Sequence, residues 1–209
     1  HALLLGIGYL LAAAACGAAA AVHAGPVPYL IGLIGGLTVL GYSAGPVPVS
    51  SLPLGEAVSG FVMGALIPLG TASVADGRFH PELIPECLPL ILGIALIMLS
   101  NNGSDIEKDI RAGRTTLPVL LGRPRTMVLY RCMLRAWIAL LCIQPLLCLG
   151  RVAFAGIACT VIAGHRPFGF LLQAGLRPSD RIRQMKSVTA ANFIGNGILA
   201  LAYAAAWLL

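Results

Sequence analysis

The chain has 209 residues, 58% hydrophobic and 11% charged, with a mean hydropathy of +0.89 and a formal net charge of +6. A soluble domain carries about 25% charged residues, so a soluble globular fold is excluded and an all-α helical membrane protein is expected. Cys16, Cys87, Cys132, Cys142, Cys148 and Cys159 contain no C-x-x-C pair and read as small packing hydrophobes, not as metal ligands or disulfide partners.

Taken in chain order, hydropathy marks seven candidate spans at about 2–22, 27–42, 56–75, 87–104, 127–149, 152–165 and 188–209, judged against the ~20 residues needed to cross a bilayer. The second and sixth are short, so they are expected to tilt, break or line a cavity. The start of the chain has no basic region followed by a cleavage site, so it does not read as a signal peptide. Proline and glycine punctuate the gaps, as at Gly25-Pro26, Gly45-Pro46-Val47-Pro48 and Pro124. Residues 1–209 read as one transmembrane domain, a bundle of about seven helices embedded in the lipid bilayer, with no nucleic-acid partner.

Alternating spans place the connections 43–55, 105–126 and 166–187 on one side of the membrane. Of the 14 Lys and Arg residues, only Arg78 and Arg151 fall on the other side. This positive-inside bias makes the basic side cytoplasmic. A cytoplasmic Asn102-Gly103-Ser104 is then not used as a glycosylation acceptor. His23, His80 and His165 lie on separate connections without metal-ligand spacing, and Trp137, Tyr203 and Trp207 read as span-end aromatics.

Two stretches on the basic side depart from ordinary loops. Residues 42–56, Tyr42 to Glu56, hold three prolines and no basic residue, a stiff connection that can wall a site. Residues 101–122, NNGSDIEKDIRAGRTTLPVLLG, form a dense polar cluster between apolar segments. An Asp or Arg at the centre of a spanning helix costs ~2.5–3.5 kcal/mol on insertion scales, so the cluster belongs at a membrane edge or in a watered cavity, as a functional candidate. On a helix at ~100° per residue, Asn101, Asn102, Asp105 and Asp109 share one face of about 100°, with Glu107 and Arg111 elsewhere. An all-oxygen face of this kind suits Mg²⁺, which takes one or two carboxylates and completes its shell with water and substrate phosphates. The competing expectation is a solvated loop, although the like-charged pair Asp105 and Asp109 at i,i+4 is mildly destabilising without a cation.

The pattern from Asn101 to Gly122 resembles the second aspartate-rich motif of the UbiA superfamily of membrane prenyltransferases, in its 1,4-dihydroxy-2-naphthoate polyprenyltransferase branch. The Tyr42-x-x-Gly45-Pro46-x-Pro48…Leu54-Gly55-Glu56 stretch resembles a loop of the same branch. Ser104 departs from the arginine usual in that branch, and Ser51 and Pro53 from its tyrosine and glycine. The resemblance implies nine helices, of which the seven spans match the last seven, and a first aspartate-rich motif expected upstream of His1, so the chain is expected to be N-terminally incomplete.

It also implies a prenyltransferase of the menaquinone pathway. Asp105 and Asp109 would be the catalytic Mg²⁺ ligands, and Asn101, Asn102, Lys108, Arg114 and Tyr42 the residues that bind the substrates. Those substrates would be a polyprenyl diphosphate and an aromatic acceptor, 1,4-dihydroxy-2-naphthoate, which loses its carboxylate as CO₂. Other acceptors within the superfamily, of homogentisate, chlorophyllide or glycerol-phosphate type, are the first alternative. A transporter with an acidic ion site is the second. Transport predicts mid-bilayer polar groups or corresponding broken helices in two halves, whereas here the charges gather at one membrane edge.

Overall fold

The structure, a computed structural model, describes residues 2–208. Its elements are α1 (Ala2–Ala21), α2 (Pro26–Ser43), α3 (Gly55–Phe61), α4 (Ile67–Asp76), α5 (Ile84–Ser104), α6 (Ile106–Arg111), α7 (Leu117–Cys148), α8 (Val152–Gln173) and α9 (Arg181–Leu208). A π-helical turn at Val62–Leu66 joins α3 to α4, so the two cross as one rod. Among the described residues there are seven helical stretches long and apolar enough to span a bilayer, and no strand. The fold is an all-α membrane bundle.

Lipid tails are as apolar as leucine, so helices associate through close packing of small residues and through interhelical hydrogen bonds. Both devices are present. A Cβ on Gly64 would stand 2.6 Å from the Ile91 backbone, so this glycine lets α5 lie directly against the π-turn. Asn192 on α9 donates to the Gly93 carbonyl of α5 (3.0 Å), and Gln144 on α7 donates to the Glu86 carbonyl (2.9 Å) and the Tyr203 hydroxyl (3.0 Å). The main core joins α5, α7, α8 and α9 around Leu96, Leu99, Tyr130, Leu134, Trp137 and Leu171. A second cluster joins α2, α4 and α5 through Ile31, Leu69 and Cys87. The outward surface is apolar, as at Leu33, Leu37, Phe154, Ile162, Phe193 and Leu201, which is what hydrocarbon requires.

Several expected boundaries move. The sixth span does not stop at 165: α8 runs through Arg166 and Pro167 to Gln173, because Phe168, Phe170 and Leu171 beyond them pack on the main core. His165 therefore lies inside a helix, with Nδ1 2.8 Å from the Ile162 carbonyl oxygen. The fifth span has an added turn, since α7 begins at Leu117 and breaks at Gly122 (φ 70°, ψ 161°) before its long membrane segment. Trp137 is not a span-end aromatic; it is fully buried, with its ring centroid 5.4 Å from that of Phe168. Only Cys87 packs in a core, whereas Cys16, Cys132, Cys148 and Cys159 lie on the outer surface.

Candidate functional site

Three connections meet at one end of the bundle: 44–54, 105–116 and 174–180. These are the connections that alternation of the spans assigns to one side. Asp105 interrupts the helix that carries the polar motif. Its φ of −106° and ψ of 14° end α5, and its carbonyl accepts the Asp109 N–H (2.8 Å) to start α6. The motif is thus two helices meeting at Asp105, not one continuous rod. Gly113, at φ 68°, reverses the chain after α6 so that Arg114 returns onto it; its N–H bonds the Asp109 carbonyl (3.0 Å).

Each carboxylate of the motif has its own arginine. Asp109 is 2% exposed; Arg114 Nη1 donates to its Oδ1 at 2.6 Å and Thr116 Oγ1 to its Oδ2 at 3.3 Å. Arg114 Nη2 continues to the Ser50 carbonyl (2.6 Å), and the Thr115 N–H bonds the Ser51 carbonyl (2.8 Å). These contacts dock the proline-rich loop on the aspartate motif. Asp105 is held differently: Arg181, the first residue of α9, donates from Nε to its Oδ2 (2.9 Å) and from Nη2 to Asn101 Oδ1 (2.8 Å). Asn102 is buried and donates from Nδ2 to Glu56 Oε1 at 2.9 Å.

The residues proposed from the sequence therefore divide into three groups. Asn101 and Asp105 share Arg181, Asp109 pairs with Arg114, and Asn102 meets Glu56. Lys108 is exposed and makes no ion pair among the described residues. Tyr42, at the end of α2, turns its hydroxyl towards Gly55, where a Cβ would stand 3.4 Å from it, and that hydroxyl is buried without a hydrogen-bond partner. Among the described residues no group of three or more His, Cys, Asp or Glu side chains is arranged to hold a metal ion.

Glu107 lies outside this arrangement. It is exposed and pairs with Arg123 Nη2 through both oxygens, at 2.6 and 2.8 Å. That guanidinium holds the Glu107 carboxyl below the usual glutamate value. Arg123 Nη1 also donates to the carbonyls of Gly103 and Leu176, fastening the 174–180 connection to the motif.

Sequence reasoning placed Glu56 in the candidate loop and Thr116 in the motif without giving either a role, and it did not connect Arg123 or Arg181 to the site. The two arginines read only as members of a positive-inside set, and their partners are distant in sequence. Glu56 carried a usable signal, since an acidic residue opening an apolar span is a functional candidate. A cleft of about 610 Å³ runs between α2 and the α3 rod, walled by Ile34, Leu37, Gly41, Val49, Ala57 and Phe61; neither Glu56 nor Tyr42 lines it.

Comparison with known proteins identifies relatives of this chain. The chain is 35% identical over 100 residues to the 1,4-dihydroxy-2-naphthoate octaprenyltransferase of Bacillus subtilis (strain 168), covering 48% of this chain and 32% of that protein. It is 31% identical over 102 residues to the UbiA prenyltransferase domain-containing protein 1 homolog of Drosophila melanogaster, covering 49% and 28%. Against the UbiA prenyltransferase domain-containing protein 1 of Danio rerio it is 30% identical over 109 residues, covering 52% and 32%. The matched stretches thus span about a third of the length of these relatives. No solved structure matches. The profile of the UbiA prenyltransferase family matches residues 1–196, and the chain belongs to that family.

Proposed function

We propose that this protein transfers a polyprenyl group from its diphosphate to an aromatic acceptor, 1,4-dihydroxy-2-naphthoate, in menaquinone synthesis. The observation that carries the reading is the joining of the Asn101–Asp109 motif to the Tyr42–Glu56 loop through Arg114, Thr115 and Asn102. A polar motif and the proline-rich loop then form one site at the end of an apolar bundle. Family membership and the naphthoate octaprenyltransferase relative support the choice of reaction and acceptor.

The site's donors are all oxygens, which fits the hard cation Mg²⁺. Asp105 and Asp109 would hold it, in exchange for their present arginine contacts. When bound it supplies Lewis-acid neutralisation of the diphosphate leaving group. Arg114 and Arg181, displaced from the carboxylates, would remain within the site as cations for the diphosphate, with Lys108 at its exposed rim. Asn101 and Asn102 would orient phosphate oxygens or water. The apolar helices accommodate the isoprenoid tail and keep bulk water from the allylic carbon as it becomes electron-poor. Residues 1–209 act as a single transmembrane domain in this reading, with the site on the cytoplasmic side of a bacterial cell membrane.

The test is reconstitution of the full-length protein in liposomes with radiolabelled prenyl diphosphate, Mg²⁺ and 1,4-dihydroxy-2-naphthoate. The expected product is a prenylated naphthoquinol, lost on chelation with EDTA. Preference for homogentisate over the naphthoate would overturn the acceptor, and uptake of ions without prenyl transfer would favour transport.

A further inference from the structure

Glu56 lies in the first turn of α3 and is 4% exposed, yet among the described residues it forms no ion pair. Asn102 satisfies Oε1, while Oε2 is buried with no hydrogen-bond partner. Tyr42 Oη, close by across Gly55, is also without one. A buried polar atom left unsatisfied costs about 1–3 kcal/mol, and more when it is charged. Such atoms in a folded protein call for a ligand, a water or a catalytic role to account for them.

The surroundings indicate which partner is missing. A carboxylate oxygen that only accepts hydrogen bonds suits an O–H donor, and the aromatic acceptor of the proposed reaction carries one. Asn102 ties this carboxylate to the aspartate motif, so a ring held by Glu56 lies on the loop side of the diphosphate site.

We propose that Glu56 binds the hydroxyl of the aromatic acceptor and takes its proton, with Asn102 as the positioning residue. This rests on the prenyl-transfer reading above. As the hydroxyl proton moves to Oε2, the ring carbon beside it forms the new C–C bond to C1 of the prenyl group. The C1–O bond breaks, and its electron pair leaves on the diphosphate. The ring is then a ketone with prenyl and carboxylate on one carbon. Loss of the carboxylate as CO₂ returns an electron pair to the ring oxygen, which recovers the proton from Glu56. Neither oxidant nor reductant is needed.

The experiment compares wild type with Glu56→Gln, which keeps the acceptor oxygen for Asn102 but removes the base. Binding of 1,4-dihydroxy-2-naphthoate and of its dimethyl ether, 1,4-dimethoxy-2-naphthoate, is measured by calorimetry in detergent. Wild type should prefer the dihydroxy form by roughly tenfold or more, as expected for a hydrogen bond to a charged group, and the variant should lose that preference. In liposomes, kcat should fall by about 10²-fold or more, with KM for the prenyl diphosphate unchanged. Equal melting temperatures check that the variant is folded. An unchanged preference for the dihydroxy form in Glu56→Gln overturns the proposal, as does a variant whose only defect is a raised Mg²⁺ requirement. Absence of prenyl transfer by wild type to any hydroxyarene overturns the reaction assigned above, while the binding comparison still decides the role of Glu56.

Discussion

Asn102 and Glu56, 46 positions apart, meet in a buried 2.9 Å hydrogen bond that joins the aspartate motif to the start of α3. The amide N–H is the donor, so the Glu56 carboxylate is oriented by a neutral partner and keeps its other oxygen for something else. Arg114 makes the parallel link on the motif's far side, from Asp109 to the Ser50 carbonyl. The loop and the motif are therefore fixed at two points, one neutral and one charged. The neutral Asn102–Glu56 link does not depend on the carboxylate–arginine pairs that a bound cation would displace, so it holds the loop on the motif before any substrate enters, the preorganisation that charge-separating steps depend on.

Asp105→Ala and Asp109→Ala should each lower turnover by on the order of 10²-fold or more, the scale of positioned electrostatic groups. Glu107→Ala should have a milder effect, because Glu107 is exposed and turned to Arg123. Steady-state assays of the three variants at saturating Mg²⁺ make the comparison. Equal losses at all three positions would remove the distinction between site carboxylates and the surface pair.

The Asp109–Arg114 pair gives a stability prediction. Breaking a fully buried ion pair costs about 3–5 kcal/mol, because the remaining charge is stranded. Arg114 is 33% exposed against 3% for Asp109, so water and Thr116 offset part of that cost. Arg114→Met should destabilise by roughly 2 kcal/mol, below the buried-pair range. Adding Asp109→Asn should recover about half of it, since no charge is then stranded. Thermal melts of the single and double variants in detergent close the cycle. Additive losses would mean the pair is not coupled.

Much of this was legible in the sequence, and the parts that were not have identifiable reasons. The seven spans followed from hydropathy because the bilayer sets their length. The motif stood out because charged residues are scarce in such a chain. What failed was local. Asp105 was placed on a continuous helix, since period alone cannot show that a backbone turns at one residue. The α8 boundary was cut at His165 because polar residues weigh against a span, whereas the next apolar turn packs on the core and carries the helix onward. Arg181 and Arg123 were invisible as site residues because their partners lie 76 and 16 positions away, and no periodicity encodes such contacts.

Gly64 tests the packing. A Cβ there would meet the Cα and N of Ile91 at 2.6 Å, backbone atoms that cannot rotate aside. Gly64→Ala should push the π-turn away from α5 and cost roughly 1–3 kcal/mol, the range for overpacking. Gly6→Ala, where a Cβ would meet nothing within 4 Å, should be neutral or slightly favourable for its helix. Melting temperatures of the two variants decide this, and an unaltered Gly64→Ala protein would mean the helices are held less closely than described.

The opposite end of the bundle should respond to pH through His80. Its ring lies in the α4–α5 connection, with Nε2 2.9 Å from Asp76 Oδ1 and Nδ1 2.7 Å from Glu82 Oε1. Bonding to Asp76 first and to Glu82 second raises the His80 pKa above its ordinary 6.5. A raised folded-state value means the imidazolium stabilises the folded form. That contribution is complete below the unfolded value of 6.5 and is lost as pH rises through the higher folded value. The ring is partly exposed, so the effect should be local. Hydrogen exchange at residues 77–83, corrected for intrinsic rates, should show more protection at pH 6 than at pH 9. His80→Gln should reduce that difference to the level of the neighbouring helices. If exchange in this connection is equally slow at both pH values in the wild type, the imidazole is not the tie between α4 and α5.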